Sequence, residues 1–534
     1  MELTGIGIIY CNCNGNLKFD LNHIENAIKK IEDIAFFEQH NYLCSSCGKD
    51  FFMKTIEENG KSKLLIAGCS PRNQALIFYE WAENLNIPRS ALEIVNIREG
   101  CAWISGNREK ATQTDTVISL IRQGIARLKA REVLEDIVLP VNKSCLVIGG
   151  GIAGITAACD ILDQGYKVYI VEKEGMLGGS LRRFDYIAPS FEKSNNCLKR
   201  KLELLREAKI LISSEIRSIE GHLGNFTVNI ESGDKSEKID AGAIIVATGL
   251  SYGENKFADP LIIEEKLKND QIGKEILFIQ SLIDKDPREL SGGVIDALLM
   301  LKYAYLIKKS KPDIKVTVLY KSLPQEFTQL INECRKLSVD FIHYEIIEEL
   351  SENLVIYNNE KETMEIRSSC ICLPIKWKAR EENKSLTEIL HLVTDIEGFI
   401  VDDIKKLRMK DTLPSGIYVC GSAHKPCTVS QAIIQAHGAA YKVINIFKKE
   451  TARKTAKVSS VNEIYCRACG RCIESCPYKA ISFTEKNEGK FASVDVAFCQ
   501  GCGICLGVCI SGAIKMKYQS EEEIRKAVHA VLED

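Results

Sequence analysis

Eight cysteines towards the C-terminal end of the sequence fall into two runs with the same spacing. Each run has the pattern C-x2-C-x2-C-x3-C, and the first run is followed by Pro477. Two residues between cysteines allow a tight turn to direct three thiolates at one iron cube, and the last spacing directs the fourth thiolate to a second cube. The pattern therefore predicts two [4Fe–4S] clusters. The predicted ligand sets are Cys466, Cys469, Cys472 and Cys509 for one cluster, and Cys499, Cys502, Cys505 and Cys476 for the other.

The segment that carries these runs, residues 461–534, is expected to be an α+β domain. A zinc site or structural thiols are the alternatives, but zinc ribbons do not join four cysteines in one run of this kind. The segment is similar to bacterial two-cluster ferredoxins. Because neighbouring clusters pass single electrons, we predict an electron relay rather than a catalyst.

A glycine-rich turn follows a short apolar strand in the middle of the chain. The strand Leu146–Ile148 runs into GGGIAG at 149–154, an apolar-periodic helix follows, and the strand Val168–Val171 ends at Glu172. This order is typical of a dinucleotide-binding unit, in which glycines shape the turn and admit a pyrophosphate and the acid binds a ribose. A glycine turn without a ligand is the alternative.

Two later segments favour FAD over NAD as the dinucleotide. Leu177–Ser180 follows the second strand, and the strands Ile244–Gly249 and Gly416–Cys420 return the chain to the same place, the latter running into a helix that starts near Thr428. Ser422 stands where many flavoproteins carry an aspartate. The candidate cofactor-binding residues are Gly149, Gly151, Ile152, Ala153, Gly154, Glu172, Lys173, Gly179, Ser180, Ala247, Thr248, Gly249, Gly421 and Ser422.

Direct binding of NAD(P)H is disfavoured. A thioredoxin-reductase-like protein would place a second glycine-rich turn near residue 280, but here the strand Ile276–Gln280 runs into Ser281-Leu-Ile-Asp284. A C-x2-C or C-x4-C dithiol beside the flavin is also missing. Electrons are therefore expected to enter and leave through clusters or partner proteins.

Composition excludes several other classes of protein. The net charge is −2 and the hydrophobic fraction is 45% of 534 residues, which argues against a nucleic-acid-binding surface and against disorder. We find neither a membrane-spanning apolar run nor a secretion signal. Twenty-two cysteines without a secretion signal indicate a reducing compartment, and we expect a cytoplasmic, oxygen-sensitive protein.

Six further cysteines lie in the first 135 residues, where strands and helices alternate as in a small, largely parallel α/β domain. Several of them follow a strand, so their thiols are expected to converge on one sheet edge. Our hypothesis is a [4Fe–4S] site formed by Cys13, Cys44, Cys69 and Cys101. Cys11 could replace Cys13, and Cys47 is a spare. A zinc site or a Cys44/Cys47 redox dithiol is the alternative.

The whole chain resembles the A subunit of heterodisulfide reductase, which carries FAD and iron–sulfur clusters. The resemblance rests on the segments Tyr10–Leu17, Gly68–Arg72, Asn96–Trp103, Val147–Leu177 and Gly416–Ala440 and on the C-terminal cysteine runs. It implies three domains: residues 1–135 with a further [4Fe–4S] cluster, a thioredoxin-reductase-like FAD domain at 140–450, and the ferredoxin domain at 461–534. The basic stretch from Lys448 to Ser460 is expected to be a solvated linker.

The chain departs from the family pattern in two places. The inserted ferredoxin unit is absent, because no cysteine run follows Cys197, and the cluster motif after residue 280 is lost, with Ser281, Gly292, Asp296 and Ala297 in that stretch. Lys302 matches a family lysine near the flavin and is our candidate catalytic residue, since a cation there would stabilise reduced, anionic flavin. A solvated helix lysine is the alternative.

We therefore expect an oxidoreductase of the α/β class that transfers electrons between FAD and iron–sulfur clusters. The resemblance implies a link to flavin-based electron bifurcation. A simple flavin/ferredoxin relay and an NAD(P)H-linked disulfide reductase are the alternatives. The expected partners are ferredoxin and disulfide-reducing, hydrogenase-like or NAD-linked subunits, with a homodimer inside a larger complex.

Overall fold

The computed structural model describes most of the chain. The described residues are 3, 5–104, 110–252, 263–280, 293–359, 362–375, 377–402, 412, 415–454, 456–486, 489–518 and 520–532. The stretch 281–292, to which the sequence assigns neither a glycine-rich turn nor a cysteine, lies outside them. No helix in the described ranges is both long and apolar enough to cross a membrane.

The N-terminal segment folds around a four-stranded parallel sheet in the order β2-β1-β3-β4. All six residues of β1 are buried, as expected of a central strand that helices cover on both faces. The elements are Ile6–Cys11 (β1), Leu21–Lys29 (α1), Ile34–His40 (β2), Ser46–Asn59 (α2), Lys63–Gly68 (β3), Pro71–Asn84 (α3), Leu92–Asn96 (β4), Lys110–Ala130 (α4) and Ile137–Pro140 (β5). The predicted alternation of strands and helices is confirmed.

The first part of the central segment is built on a five-stranded parallel sheet in the order β10-β7-β6-β14-β24, with an antiparallel sheet β11-β12-β13. The elements are Ser144–Ile148 (β6), Ile152–Asp163 (α5), Lys167–Val171 (β7), Tyr186–Ile187 (β8), Glu192–Lys193 (β9), Ser194–Glu203 (α6), Lys209–Leu211 (β10), Glu215–His222 (β11), Asn225–Ser232 (β12), Lys235–Ala241 (β13), Ala243–Val246 (β14) and Leu250–Tyr252 (β15). The carboxyl ends of β6, β14 and β24 lie side by side, which brings three separate sequence segments to one edge.

A second parallel sheet in the central segment has the order β18-β17-β16-β22 and is accompanied by an antiparallel sheet β19-β20-β21. Its elements are Ile263–Lys268 (α7), Glu275–Ile279 (β16), Gly293–Ser310 (α8), Lys315–Tyr320 (β17), Thr328–Lys336 (α9), Asp340–His343 (β18), Ile346–Leu350 (β19), Leu354–Asn359 (β20), Glu362–Arg367 (β21), Cys370–Cys372 (β22), Trp377–Ala379 (β23), Asn383–Leu390 (α10), Ile417–Val419 (β24) and Val429–Phe447 (α11). The strands β15 and β23 pair with each other where the chain passes from the first sheet to the second and back.

The C-terminal segment consists of short elements around the cysteine runs. They are Thr451–Lys454 (β25), Ser459–Val461 (β26), Arg471–Glu474 (α12), Ile481–Lys486 (β27), Gly489–Val494 (β28), Ile504–Val508 (α13), Ile514–Met516 (β29) and Glu521–Leu532 (α14). The strand β26 pairs with β29, and β27 pairs with β28. Small domains of this size have little core of their own, and here the cysteines form part of it.

The prediction of a solvated linker before this segment is correct for residues 448–451, which are exposed, but wrong for the residues from 456 onwards. Val458 and Ala456 are only 2% and 6% exposed, and β25 pairs with β5. The Lys454 ammonium group donates to the carbonyl oxygens of Val496 and Ala497 at 3.3 and 3.2 Å. Basic composition does not by itself indicate a solvated segment, because a long lysine side chain can bury its stem while its ammonium group donates to backbone carbonyl oxygens.

Two compact units result. One consists chiefly of residues 1–139 and 451–534, and the other of residues 140–403 and 408–450. In the first unit, the guanidinium of Arg131 binds Glu93 and Glu523 at 2.7 Å each and lies 4.4 Å from the ring centre of Tyr518. The Arg131 side chain is 1% exposed. A buried guanidinium that binds one carboxylate on β4 and one on α14 thus ties α14 to the N-terminal sheet.

We expect Arg131→Ala to lower the free energy of unfolding by about 3–5 kcal/mol, because it leaves the buried Glu523 carboxylate without the cation that binds it and leaves Glu93 with Arg127 at 3.4 Å. Denaturant unfolding of the anaerobically purified protein, followed by circular dichroism, measures this change. Arg217→Ala is the control: Arg217 pairs with Glu231 on the surface, and its loss should cost about 1 kcal/mol or less. Equal losses in the two variants would contradict the role of Arg131.

Candidate functional site

A cavity of about 760 Å³ opens at the carboxyl edge of the first central sheet. Its wall includes most of the predicted cofactor-binding residues: Gly149, Gly151, Ile152, Ala153, Glu172, Lys173, Gly179, Ser180, Ala247, Thr248, Gly249 and Ser422. Gly154 and Gly421 do not line the cavity, but the absence of a side chain at each allows neighbouring elements to approach closely. A β-carbon on Gly154 would lie 1.9 Å from the carbonyl oxygen of Gly149, and one on Gly421 would lie 2.7 Å from the β-carbon of Ala153.

The turn between β6 and α5 leaves room for a phosphate group. Gly149 has φ +105°, where a side chain would be strained and would strike the carbonyl oxygen of Ala247. Gly151 caps α5 without a side-chain hydrogen bond, and no atom lies within 4 Å of the position that its β-carbon would take. The first N–H groups of a helix attract anions through their free hydrogen bonds and the helix dipole. This open cradle therefore fits the pyrophosphate of a dinucleotide.

Glu172 is held at the end of β7 by backbone donors. Its two carboxylate oxygens accept hydrogen bonds from the N–H groups of Gly150 at 2.6 Å and Glu174 at 2.9 Å, and the residue is 7% exposed. Each oxygen retains a second lone pair, so that the carboxylate can also accept from ribose hydroxyls. The Lys173 ammonium nitrogen instead lies 2.8 Å from Oε1 of Glu382.

Ser422 and Cys427 line the cavity beside the start of α11. The Ser422 hydroxyl lies 3.4 Å from the Cys427 sulfur. Thr428 caps α11 by accepting from the N–H of Gln431, whose side chain accepts from the N–H of Thr428. This reciprocal capping fixes the helix start, and the hydroxyl and thiol take the place of the usual aspartate.

Lys302 reaches the cavity from α8 and is 2% exposed, which excludes the solvated alternative. Its ammonium group pairs with Glu264 and lies 4.7 Å from the ring centre of Phe184. Burial lowers the pKa of Lys302, and the pairing with Glu264 opposes this shift. Glu264, which also accepts from the N–H of Asp185 at 2.5 Å, is a cavity residue that the sequence analysis missed because no local motif marks it.

Asp296 and Trp377 form a second contact that sequence patterns missed. The indole N–H of Trp377, which lines the cavity, donates to Asp296 at 3.0 Å. Asp296 lies in the stretch where the family pattern has a cluster motif. Burial raises the pKa of Asp296 to about 7, although hydrogen bonds from Trp377 and from the backbone of Ile375 oppose this shift. The carboxyl group is therefore largely protonated below neutral pH.

The C-terminal thiols group as their spacing predicts. Burial raises the pKa of the Cys472 thiol, and the negative charges of Cys466, Cys469 and Cys509 raise it further. Burial raises the pKa of the Cys505 thiol in the same way. Its charged neighbours are Cys499, Cys502 and Cys476. Each group therefore includes one cysteine from the other run. Positively charged metal bound by each group of four thiols would offset the repulsion between their thiolates.

The N-terminal thiols form another group. Cys11 interacts electrostatically with Cys13 and Cys44, and Cys69 with Cys11 and Cys13. Burial raises the pKa of the Cys69 thiol to about 12, which disfavours a free thiolate there. The structure thus brings Cys11 into the group. Cys101, a member of the predicted set, is buried and donates to the Gln113 carbonyl oxygen at 3.6 Å.

Among the described residues, no three His, Cys, Asp or Glu side chains converge closely enough to hold a single metal ion. A cube of four irons and four sulfides is larger than one ion, and its thiolates stand correspondingly further apart.

We expect Gly151→Ala to fold normally but to weaken FAD binding at least tenfold, about 1.4 kcal/mol, because its methyl group would fill the open cradle. Titration of the apoprotein with FAD and a thermal melt measure the two effects. Gly154→Ala is the matched variant and should instead be unstable, because its methyl group would strike the Gly149 carbonyl. Unchanged FAD affinity in Gly151→Ala would contradict the assignment.

Asp296 predicts a pH dependence of stability. Its folded pKa of about 7 lies above that of an unfolded aspartate, so ionisation favours unfolding as the pH rises from about 4 to about 7. Relative to the parent protein, Asp296→Asn should gain a few kcal/mol of stability over that range, with no further gain above it. The exposed Asp340→Asn is the control and should follow the parent curve. Parallel curves for Asp296→Asn and the parent would contradict the burial effect.

Known protein families match two segments of the chain. A family model described as 4Fe-4S dicluster domain matches residues 465–513, and one described as Pyridine nucleotide-disulphide oxidoreductase matches residues 143–271. Among solved structures, the chain is similar to thioredoxin reductase from T. acidophilum, with 19% identity and a TM-score of 0.39, over 58% of this chain and 100% of that one.

Curated relatives extend the similarity along the whole chain. An iron–sulfur A subunit of CoB–CoM heterodisulfide reductase from Methanopyrus kandleri is 26% identical over 653 aligned positions, covering 99% of this chain and 97% of the relative. The corresponding protein of Methanocaldococcus jannaschii is also 26% identical, covering 99% and 98%. The A subunit of H2:CoB-CoM heterodisulfide,ferredoxin reductase from Methanothermobacter marburgensis is 25% identical, covering 91% of each chain.

The alignment with the Methanopyrus kandleri protein has 653 positions, whereas this chain has 534 residues, so more than a hundred positions have no counterpart here. That difference agrees with the missing insert. Over 99% of its length the chain is thus similar to heterodisulfide reductase A subunits, and it combines a flavin-dependent oxidoreductase fold with a 4Fe–4S dicluster domain.

Proposed function

We propose that the chain is the electron-transfer subunit of a heterodisulfide-reductase-like complex and works with FAD and three [4Fe–4S] clusters. The observation that carries this proposal is the presence in one chain of a dinucleotide cradle and of two complete groups of four thiols. FAD would supply the exchange between electron pairs and single electrons. In this proposal the chain has an N-terminal domain at 1–135, an FAD domain at 140–450 and a ferredoxin domain at 461–534.

The chain's own residues provide binding and charge. The cradle at Gly151 and the start of α5 bind the pyrophosphate, and Glu172 binds a ribose. Lys302 holds a positive charge in the cavity wall next to Glu264. A buried cation stabilises negative charge far more than an exposed one, so it favours a cofactor that has accepted electrons. This role of Lys302 is electrostatic, and Glu264 keeps the ammonium group in place.

The third cluster belongs to the N-terminal thiols. We assign Cys11, Cys13, Cys44 and Cys69 as its ligands, because these four interact electrostatically, whereas the Cys101 thiol is engaged by Gln113. The raised pKa of the Cys69 thiol argues against a reactive dithiol, which needs a thiolate at neutral pH. It favours a site in which the positive charge of bound metal stabilises the thiolates. The predicted set with Cys101 in place of Cys11 is the competing assignment.

Electron bifurcation is a second candidate function. It needs two separate exits for single electrons, and the N-terminal and C-terminal thiol groups would supply two. A simple relay would use one of them. A disulfide reductase of the dithiol type is disfavoured because the described lining residues of the cavity include one cysteine, Cys427, and not a dithiol pair. The proposed partners are ferredoxin and other redox subunits, with the chain as a homodimer in the complex.

The proposal is tested by iron, acid-labile sulfide and FAD per chain in anaerobically purified protein. We expect about twelve irons and one FAD, at four irons per cluster. Cys69→Ser should lose about four irons and keep the FAD. Cys101→Ser is the matched variant: it should keep about twelve irons, whereas Cys11→Ser should lose about four. About eight irons in the parent protein would contradict the third cluster, and iron loss in Cys101→Ser alone would favour the competing ligand set.

A further inference from the structure

We propose that Arg98 raises the reduction potential of the N-terminal [4Fe–4S] cluster and that Glu99 positions it for this role. The inference rests on the proposed function, because it needs a cluster bound to Cys13 and Cys69. It concerns two side chains outside the ligand set that connect these two cysteines.

The guanidinium of Arg98 lies beside the thiols. One of its N–H groups donates to the Cys13 sulfur at 3.4 Å, and its positive charge also acts on the thiol of Cys69. The Arg98 side chain is 17% exposed, and its guanidinium carbon lies 4.8 Å from the ring centre of Trp103. Most of the Arg98 side chain is therefore removed from water, which strengthens the field of its charge at the sulfur atoms.

Glu99 fixes this arginine in a single orientation. Its Oε1 accepts two hydrogen bonds from Arg98, from Nη2 at 2.7 Å and from Nε at 3.2 Å. Its Oε2 accepts from the N–H of Ser70 at 2.8 Å. Ser70 follows Cys69 directly, so a continuous chain of hydrogen bonds runs from the Cys13 sulfur to the residue after Cys69.

The local fold is adapted to this arrangement. Arg98–Ala102 is a single turn of π-helix immediately after β4, and the N–H of Glu99 donates to the Asn96 side chain at 3.0 Å. Single π-helical turns are rare and often found at functional sites. The turn puts Arg98, Glu99 and Trp103 together on the edge of the sheet where β1 and β3 deliver Cys13 and Cys69.

The effect on the potential follows from charge. Reduction adds one electron to the cluster and makes the group of thiolates and cube more negative by one charge. A guanidinium that donates to a ligand sulfur stabilises the reduced form more than the oxidised form, and hydrogen bonds to the sulfurs raise cluster potentials. Removal of the cation must therefore lower the potential.

The experiment is a redox titration of the anaerobically purified full-length protein, with dithionite as reductant and electron paramagnetic resonance as the readout. The signal that Cys69→Ser lacks identifies the N-terminal cluster. In Arg98→Gln we expect that signal to require a more negative potential, with an equilibrium constant for reduction at least tenfold smaller, which is about 59 mV for one electron. The signals of the two C-terminal clusters should stay where they are and provide an internal control.

Further variants keep the result interpretable. Arg98→Lys retains the charge but loses the forked hydrogen bonds, so its shift should have the same sign and be smaller than that of Arg98→Gln. It also supplies the measurement if Arg98→Gln loses iron. Arg217→Gln removes an exposed arginine of the other unit and should leave every potential unchanged.

An unchanged potential in an iron-loaded Arg98 variant would overturn the inference while leaving the cluster assignment intact. Full iron content in Cys69→Ser would instead overturn the cluster assignment on which the inference depends. The two failures are therefore distinguishable.

Discussion

The buried ion pair network around Arg131 is the interaction on which the arrangement of the redox sites in the first unit depends. The residue follows α4 of the N-terminal segment, and one of its two carboxylate partners, Glu523, lies more than 390 positions further along the chain. Buried charges of this kind contribute little net stability compared with apolar packing, but they tolerate only one geometry. The network therefore fixes the C-terminal helix in one register on the N-terminal sheet, and both segments carry thiols.

The cavity of the other unit shows how one fold can keep a cofactor site while the surrounding chemistry changes. In the proposed function, the glycine turn and the start of α11 hold a dinucleotide through backbone geometry, and Glu172, whose carboxylate accepts from backbone N–H groups, binds a ribose. Towards the second sheet the wall is instead made of side chains: the Lys302–Glu264 pair and the Asp296–Trp377 contact. The carboxyl group of Asp296 is buried there and accepts a hydrogen bond from the indole of Trp377, which lines the cavity.

Patterns that follow from local chemistry were predicted well. The cysteine runs, the glycine turn and the acid at the end of β7 follow from chain geometry over a few residues, and in the structure Cys472 and Cys505 each have thiols of both runs as neighbours. In the stretch from Lys448 to Ser460, the residues from 456 onwards were misjudged because composition does not reveal that Val458 packs against the cysteine runs. The strand β2 has no regular apolar alternation, because its apolar residues Ile34–Phe37 stand together, and its pairing with β1 decides its structure.

The sequence by itself determined which residue types are available and how near neighbours along the chain are disposed: two cluster-binding runs, one dinucleotide turn, and helices and strands of the right period. Only the tertiary structure decided which distant residues meet. It brings Cys11 to the thiol group and engages Cys101 with Gln113, and it buries Lys302 against Glu264. The physical reason is that ligand spacing within a run depends on local backbone geometry, whereas contacts between separate strands depend on sheet order and register, which no short segment encodes.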